Sequence, residues 1–340
     1  MRSYAVIARR ADGERVRKRL RDAGLLRPDL RVHRSGETIE IPVRSLPDPP
    51  IDGTTNSEAE FSAASPAPPT SYVELVDIPE PERAGLPRAF DVVGDVVLIR
   101  IPPELGARAP AIGAALLRFV PGARVVAADR GVHGTGRVRR LQRIAGDGGY
   151  RTEHRENGLT FVVDLERAYF SPRLGREHAR VAALARPGET VLDLCCGIGP
   201  FGLTIARLGA PRRVVLVDSN PEAIRLVREN ASALGVEGCV QVVEEDLEAF
   251  LPDAPVSERV VLNLPHEGIK YLAQVVGAVA RGGTLHYYEI MERSGRPERL
   301  ADLGSSLPPR GEWTIGDSHV VHPYSPESDL VAVTLCRTLE

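Results

Sequence analysis

The stretch Asp193-Leu-Cys-Cys-Gly197-Ile-Gly199-Pro-Phe-Gly202 carries three glycines at the spacing of a nucleotide-binding loop. Gly197 and Gly199 permit positive φ and close approach of a ligand to the main chain. Gly202 lets the following helix lie close to its strand. A dinucleotide fits the glycines, but three neighbouring features oppose it. Asp193 would repel a pyrophosphate held over a helix N-terminus, whereas it suits an amino group. Pro200 removes an N–H that a phosphate would want. A further polar motif, Asn263-Leu264-Pro265-His266, ends a later strand and has no standing use in hydride transfer.

S-Adenosylmethionine accounts for all three. It has no phosphate, and it carries an α-amino group and a sulfonium. Asp218, at the end of the next strand, is placed to accept both ribose hydroxyls. Asp246, shortly after the third strand, can reach an adenine amine or nearby backbone. Cys195, Gly197, Gly199, Phe201, Ser219, Leu247 and Pro265 complete the expected cofactor lining, with Asp193 and Asn263. An Asn carbonyl at 263 can also accept N–H groups of a planar base, and the prolyl turn fixes it beside the methyl donor. Cys195, Cys196, Cys239 and Cys336 lack metal-ligand spacing, as do the histidines, so no metal site is expected. The cysteines read as reduced thiols of a cytoplasmic protein.

Certain elements must position these residues. From residue 187 onward, continuous apolar strands alternate with helices. Strands are expected at 190–195, 213–218, 240–244, 259–264 and 284–290, with helices near 200–209, 221–233, 267–280 and 295–306. Such runs belong to a parallel sheet covered on both faces. Two more strands, near 319–323 and 330–338, flank the sequence PYSP. Upstream, residues 1–45 read as a small α/β module, and residues 46–71, rich in Pro, Ser, Ala and acids, as a mobile linker. Residues 72–158 form an Arg-rich middle domain, and Asn157-Gly158 marks a hairpin turn.

The net charge of −3 conceals basic blocks. Residues 1–45 hold twelve basic against six acidic residues, and residues 107–155 ten against three. Forty-one of the 43 basic residues are arginine, which also fits a coding bias. Separated basic blocks on an acidic chain suit a polyanion that touches particular domains. No apolar run reaches the roughly 20 residues needed to span a bilayer, so no membrane partner is expected.

The motifs AYFSPRLGREHARVA, VLDLCCGIGPFG, NLPH, GGTLHYYEI and PYSP together resemble the archaeal and eukaryotic tRNA (guanine-37-N1)-methyltransferase family, with its wyosine-pathway relatives. The resemblance covers nearly the whole chain. It implies a class I S-adenosylmethionine-dependent methyltransferase fold, a Rossmann-like doubly wound α/β sheet over 159–340, with two smaller N-terminal α/β domains. The substrate it implies is tRNA, methylated at N1 of guanine 37. By spacing alone, Glu177 is a solvated helix carboxylate; the resemblance makes it the general base. The resemblance likewise selects Arg137, among neighbouring arginines, to steady charge on O6, and Asn263 to hold the base. Tyr169, Arg173, Arg139, Pro265 and His266 are expected on the RNA side, and the N-terminal module is expected to touch a distant part of the tRNA. Cys195-Cys196 replaces a usual Phe-Ala pair, and His266 stands where a basic residue is common. The chain is expected to act as a monomer with no obligatory protein partner. Two rival enzymes stay open: a wyosine-pathway transferase and an NAD-dependent oxidoreductase. A non-catalytic tRNA-binding protein is a third alternative.

Overall fold

Strand β1 (Arg2–Arg9) buries Val6 and Ala8 against helix α1 (Gly13–Asp22), whose Val16 and Leu20 share one helical face. With β2 (His33–Ser35), β3 (Thr38–Val43) and β4 (Thr54–Glu60), β1 forms an antiparallel sheet of order β2-β3-β1-β4. This computed structural model describes residues 1–64, 68–134, 136–308 and 312–339. The expected linker at 46–71 is therefore corrected: residues 54–60 are a strand, and Met1–Thr70 is one compact unit. The reason is physical. TTNSEAE is an exposed edge strand held by main-chain bonds to β1, so it carries no apolar alternation.

Ser71–Glu340 is a second unit. It opens with α2 (Glu80–Arg83) and a four-stranded sheet of order β5-β6-β7-β8. The strands are β5 (Phe90–Val93), β6 (Val96–Ile99), β7 (Val125–His133) and β8 (Val138–Gly146). Helix α3 (Ala109–Phe119) covers one face with Ile112 and Leu116. A separate hairpin joins β9 (Arg151–Glu156) to β10 (Leu159–Asp164). Its turn has positive φ at Asn157 (53°) and Gly158 (75°), the type I′ pattern that Asn-Gly favours. The domain boundary drawn at 158 thus falls inside a hairpin. Buried Asn230, from a helix further along the chain, holds that hairpin: its side chain accepts from the Val162 N–H at 2.7 Å and donates to the Val162 carbonyl at 3.1 Å.

The remaining elements are α4 (Gly175–Leu184), β11 (Thr190–Leu194), α5 (Pro200–Leu208), β12 (Arg213–Asp218), α6 (Pro221–Leu234) and β13 (Val240–Glu244). They continue with α7 (Leu247–Phe250), β14 (Ser257–Leu262), α8 (Gly268–Val275), β15 (Val279–Glu292), α9 (Arg296–Ser306), β16 (Trp313–Pro323) and β17 (Ser328–Arg337). The seven strands form one sheet, β13-β12-β11-β14-β15-β17-β16. The first five are parallel, and β17 and β16 add antiparallel. Val191, Leu192, Leu194, Val260 and Leu262 are fully buried, each contributing roughly 1.5–3 kcal/mol. The chain winds outward from β11 to β13, then returns to place β14 on the other side of β11. That reversal opens a crevice beyond the carboxyl ends of β11 and β14. No helix among the described residues is long and apolar enough to cross a membrane.

Candidate active site

A cavity of 460 Å³ occupies that crevice. Gly197, Asp218, Asp246, Asn263 and Pro265 line it from the strand ends, and Arg137 and Tyr169 from outside the sheet. Cys195, Ser219, Leu247 and His266 line it as well. Gly197 has φ 56°, and a Cβ there would stand 3.0 Å from the Tyr169 carbonyl oxygen. The loop is bound to the next strand, because the Gly197 N–H donates to Asp218 Oδ2 at 2.8 Å. The other oxygen, Oδ1, accepts from the Asn220 N–H at 2.9 Å. Burial outweighs these two donors and raises the Asp218 pKa. Each carboxylate oxygen keeps a lone pair for a hydroxyl donor in the cavity. Asp246 caps α7 through the Glu248 N–H at 2.9 Å while also lining the cavity.

A second, smaller chamber of 30 Å³ adjoins the first and shares Tyr169, Leu174, Cys195, Gly197 and Asn263 with it. Asp193 and Phe201 line this chamber and not the larger cavity. Asp193 is 1% exposed, and burial pushes its pKa up to about 7, even though it accepts the Gly202 N–H at 2.8 Å. A Cβ on Gly202 would stand 2.7 Å from Leu216 and 3.0 Å from Asp193, so helix and strand do need glycine here. Gly199 departs from expectation. It lines neither chamber, and with φ 81° its would-be Cβ meets Leu216 and Leu203. A glycine here lets α5 pack closely on β12. Burial, with Asp218 and Asp193 nearby, pushes the Cys195 thiol up to about 12, which makes it a wall and not a nucleophile.

The RNA-side residues divide. Arg137 adopts φ 50°, uncommon outside glycine, and its guanidinium carbon lies 5.7 Å from the Tyr169 ring centroid. Both residues also line an adjoining 250 Å³ cavity with Arg173, which pairs with Asp91 at 2.9 Å. Arg139 also lines the 250 Å³ cavity; its side chain is 10% exposed, ion-pairs with Asp129 and donates to the Phe170 carbonyl at 3.2 Å, which braces the segment before the SPR motif. His266 meets the Tyr324 hydroxyl at 3.3 Å. Burial, with Arg137 close by, lowers its pKa, so the ring is neutral near pH 7. Tyr324 lines both cavities. It belongs to the PYSP motif, whose sequence alone assigns it no role. His322 also lines both, and nothing in the sequence singled it out.

Glu177 does not line the cavity. Its carboxylate is buried, accepting from Tyr288 at 2.8 Å and from Arg180 at 2.6–3.1 Å, with His319 Nε2 at 3.0 Å. Burial alone would raise its pKa, but the Arg180 and Tyr288 hydrogen bonds outweigh that and hold it at about 2. Glu177 is thus not the solvated helix carboxylate that its spacing alone suggests. Arg137, Asn263 and Asp218 line one cavity, and Glu177 is not among its lining residues.

Residues 152–302 match the TRM5/TYW2 methyltransferase domain, residues 74–149 the TYW2 N-terminal domain, and residues 6–51 the tRNA methyltransferase 5 N-terminal domain. A Pyrococcus abyssi protein named tRNA (guanine(37)-N(1))-methyltransferase Trm5b is 32% identical over 95% of both chains. The crystal structure of Trm5b from Pyrococcus abyssi superimposes with a TM-score of 0.80, at 31% identity over 99% of each chain. A Pyrococcus horikoshii tRNA(Phe) (4-demethylwyosine(37)-C(7)) aminocarboxypropyltransferase is 27% identical over 66% of this chain and 77% of its own. Fold, crevice and these likenesses agree, and the chain belongs to the TRM5/TYW2 methyltransferase family.

Proposed function

We propose that this protein transfers a methyl group from S-adenosylmethionine to N1 of guanine 37 in tRNA. The observation that carries this reading is the meeting of Arg137 and Asn263 with Gly197 and Asp218 on one cavity. The residues suit the cofactor. A side chain at Gly197 would crowd the Tyr169 carbonyl and strain the left-handed backbone, and Asp218 retains acceptor capacity toward the cavity. When bound, the cofactor supplies a methyl group made electrophilic by its sulfonium.

The chain's own residues then have separable tasks. Asp218 receives the ribose hydroxyls, and Asp246 borders the adenine. Asn263 accepts N–H groups of the guanine edge, while Pro265 and Tyr169 shape the wall beside it. Arg137 donates toward O6, where negative charge develops as N1 loses its proton. Glu177 is the proposed base. To act, its carboxylate must exchange Arg180 and Tyr288 for the purine, because a group held at about 2 is weakly basic. Guanine 37 must also leave its stack to enter the cavity, at a few kcal/mol.

In the N-terminal unit, a 940 Å³ groove is lined by Arg17, Arg21, Arg27, Arg31, Arg34 and Arg44. We assign it to tRNA phosphates away from the anticodon, read by shape. The enzyme is read as a cytoplasmic monomer; its free vicinal thiols, Cys195 and Cys196, suit a reducing compartment.

Incubating the protein with methyl-labelled cofactor and unmodified tRNA, then mapping the product, tests the reaction. A methyl on N1 of guanine 37 supports it. An aminocarboxypropyl group, or a methyl on a tricyclic base only, would place the chain with its wyosine-pathway relatives.

A further inference from the structure

His178 on α4 is fully buried, and neither expectation from the sequence nor the proposed reaction uses it. Its Nδ1 lies 2.7 Å from Glu156 Oε1 on the hairpin, and its ring meets Phe201 edge-on, with centroids 4.5 Å apart. Glu156 is itself 93% buried as a side chain, with His154 at 3.8 Å from its second oxygen. Nε2 of His178 is buried and finds no hydrogen-bond partner in the chain among the described residues. His178 lines the 30 Å³ chamber, and Glu156 does not. The unpartnered Nε2 thus belongs to a residue that borders the chamber.

The same chamber holds Asp193, a buried carboxylate with a single hydrogen bond, from Gly202. Two residues with buried polar groups thus border a space with room for a water-sized group such as an ammonium. Asp218 and Asp246, which suit hydroxyls and a base, line only the larger cavity. The two chambers therefore divide the cofactor by chemistry, with Cys195, Gly197 and Asn263 at their junction.

Resting on the cofactor reading above, we infer that His178, fixed by Glu156, receives the α-ammonium of the cofactor's amino-acid end together with Asp193. The carboxylate on Nδ1 holds a proton there and leaves the Nε2 lone pair as an acceptor. An ammonium offers three donors, one for Asp193 and one for His178. His178 is a binding residue in this scheme, while Glu156 positions it.

Calorimetry on the full chain, with three ligands, tests the assignment. S-Adenosylhomocysteine carries ammonium and carboxylate, its decarboxylated analogue only the ammonium, and 5′-methylthioadenosine neither. His178→Leu should weaken the first two by about tenfold or more and leave 5′-methylthioadenosine within about twofold. His178→Gln, whose amide reaches toward the Nε2 position, should recover most of the loss. Equal weakening of all three ligands would overturn the inference, as would no weakening of any. Loss confined to S-adenosylhomocysteine would assign His178 to the carboxylate instead and overturn the ammonium contact. Failure of the wild-type chain to bind S-adenosylhomocysteine at all would refute the cofactor reading itself, a distinct result.

Discussion

The Tyr288 hydroxyl on β15 donates to the Glu177 carboxylate on α4 at 2.8 Å, and both side chains are buried. This bond makes Glu177 an anchor between the helix and the sheet as well as the proposed base. The two roles separate under mutation. Glu177→Gln should cost about 1–3 kcal/mol of stability and at least about a hundredfold in methyl transfer. Tyr288→Phe should cost about 1 kcal/mol and leave methyl transfer within about threefold, since it frees the carboxylate. Single-turnover rates and urea midpoints for both variants check this; a matching loss of activity in both would leave Glu177 as an anchor only.

Acid should expose the same anchor. The Glu177 pKa is depressed from 4.5 to about 2 on folding. Its contribution is therefore fully present above about pH 4.5 and is lost as pH falls toward 2. The stability gap between wild type and Glu177→Gln, measured by urea titration, should be widest at pH 7 and should narrow below pH 4.5. A gap that stays constant would show that charge is not what the carboxylate contributes.

Asp193 has the opposite sign. Burial raises its pKa from 3.8 to about 7, and Asp218 nearby adds to the shift. Its contribution to the stability of the ligand-free protein is present below 3.8 and is lost as pH rises through 7. A cationic ligand favours the ionised form. Binding of S-adenosylhomocysteine should thus tighten from pH 5 to 8 and release up to one proton. Calorimetry in buffers of different ionisation heat measures the release, and Asp193→Asn should abolish it.

Arg137 combines a left-handed backbone with a place over the Tyr169 ring. Arg137→Lys keeps the charge but loses the planar fork. We expect kcat to fall by about 10²–10³ while S-adenosylhomocysteine affinity stays within about twofold. An unchanged kcat would remove Arg137 from the chemistry.

The arginine groove of the N-terminal unit predicts a salt signature. Arg17→Glu combined with Arg34→Glu should weaken whole tRNA and lower the slope of log affinity against log salt by about two. An isolated anticodon stem-loop should bind both proteins alike. Filter binding across a salt series gives both slopes.

The catalytic sheet was legible because β11, β12 and β14 are buried on both faces and read as apolar runs. The hairpin was legible because only a few residue pairs tolerate two successive left-handed positions, and Asn157-Gly158 is one. Strand β4 was not, since its pairing is made by main chain and its side chains stay polar. Arg137 and Arg139 stand two apart in one arginine stretch, yet Arg139 is drawn to Asp129 and Phe170. No local signal separates them. Arg180 stands one helical turn from Glu177, but its other two partners lie 111 and 142 positions away at Tyr288 and His319, so its burial is a product of topology. His178 beside it read as an ordinary helix residue for the same reason.

Because β4 belongs to the N-terminal sheet, deleting residues 1–45 alone would leave it without the strand it pairs with. A truncation meant to remove the N-terminal unit whole must therefore run to Thr70.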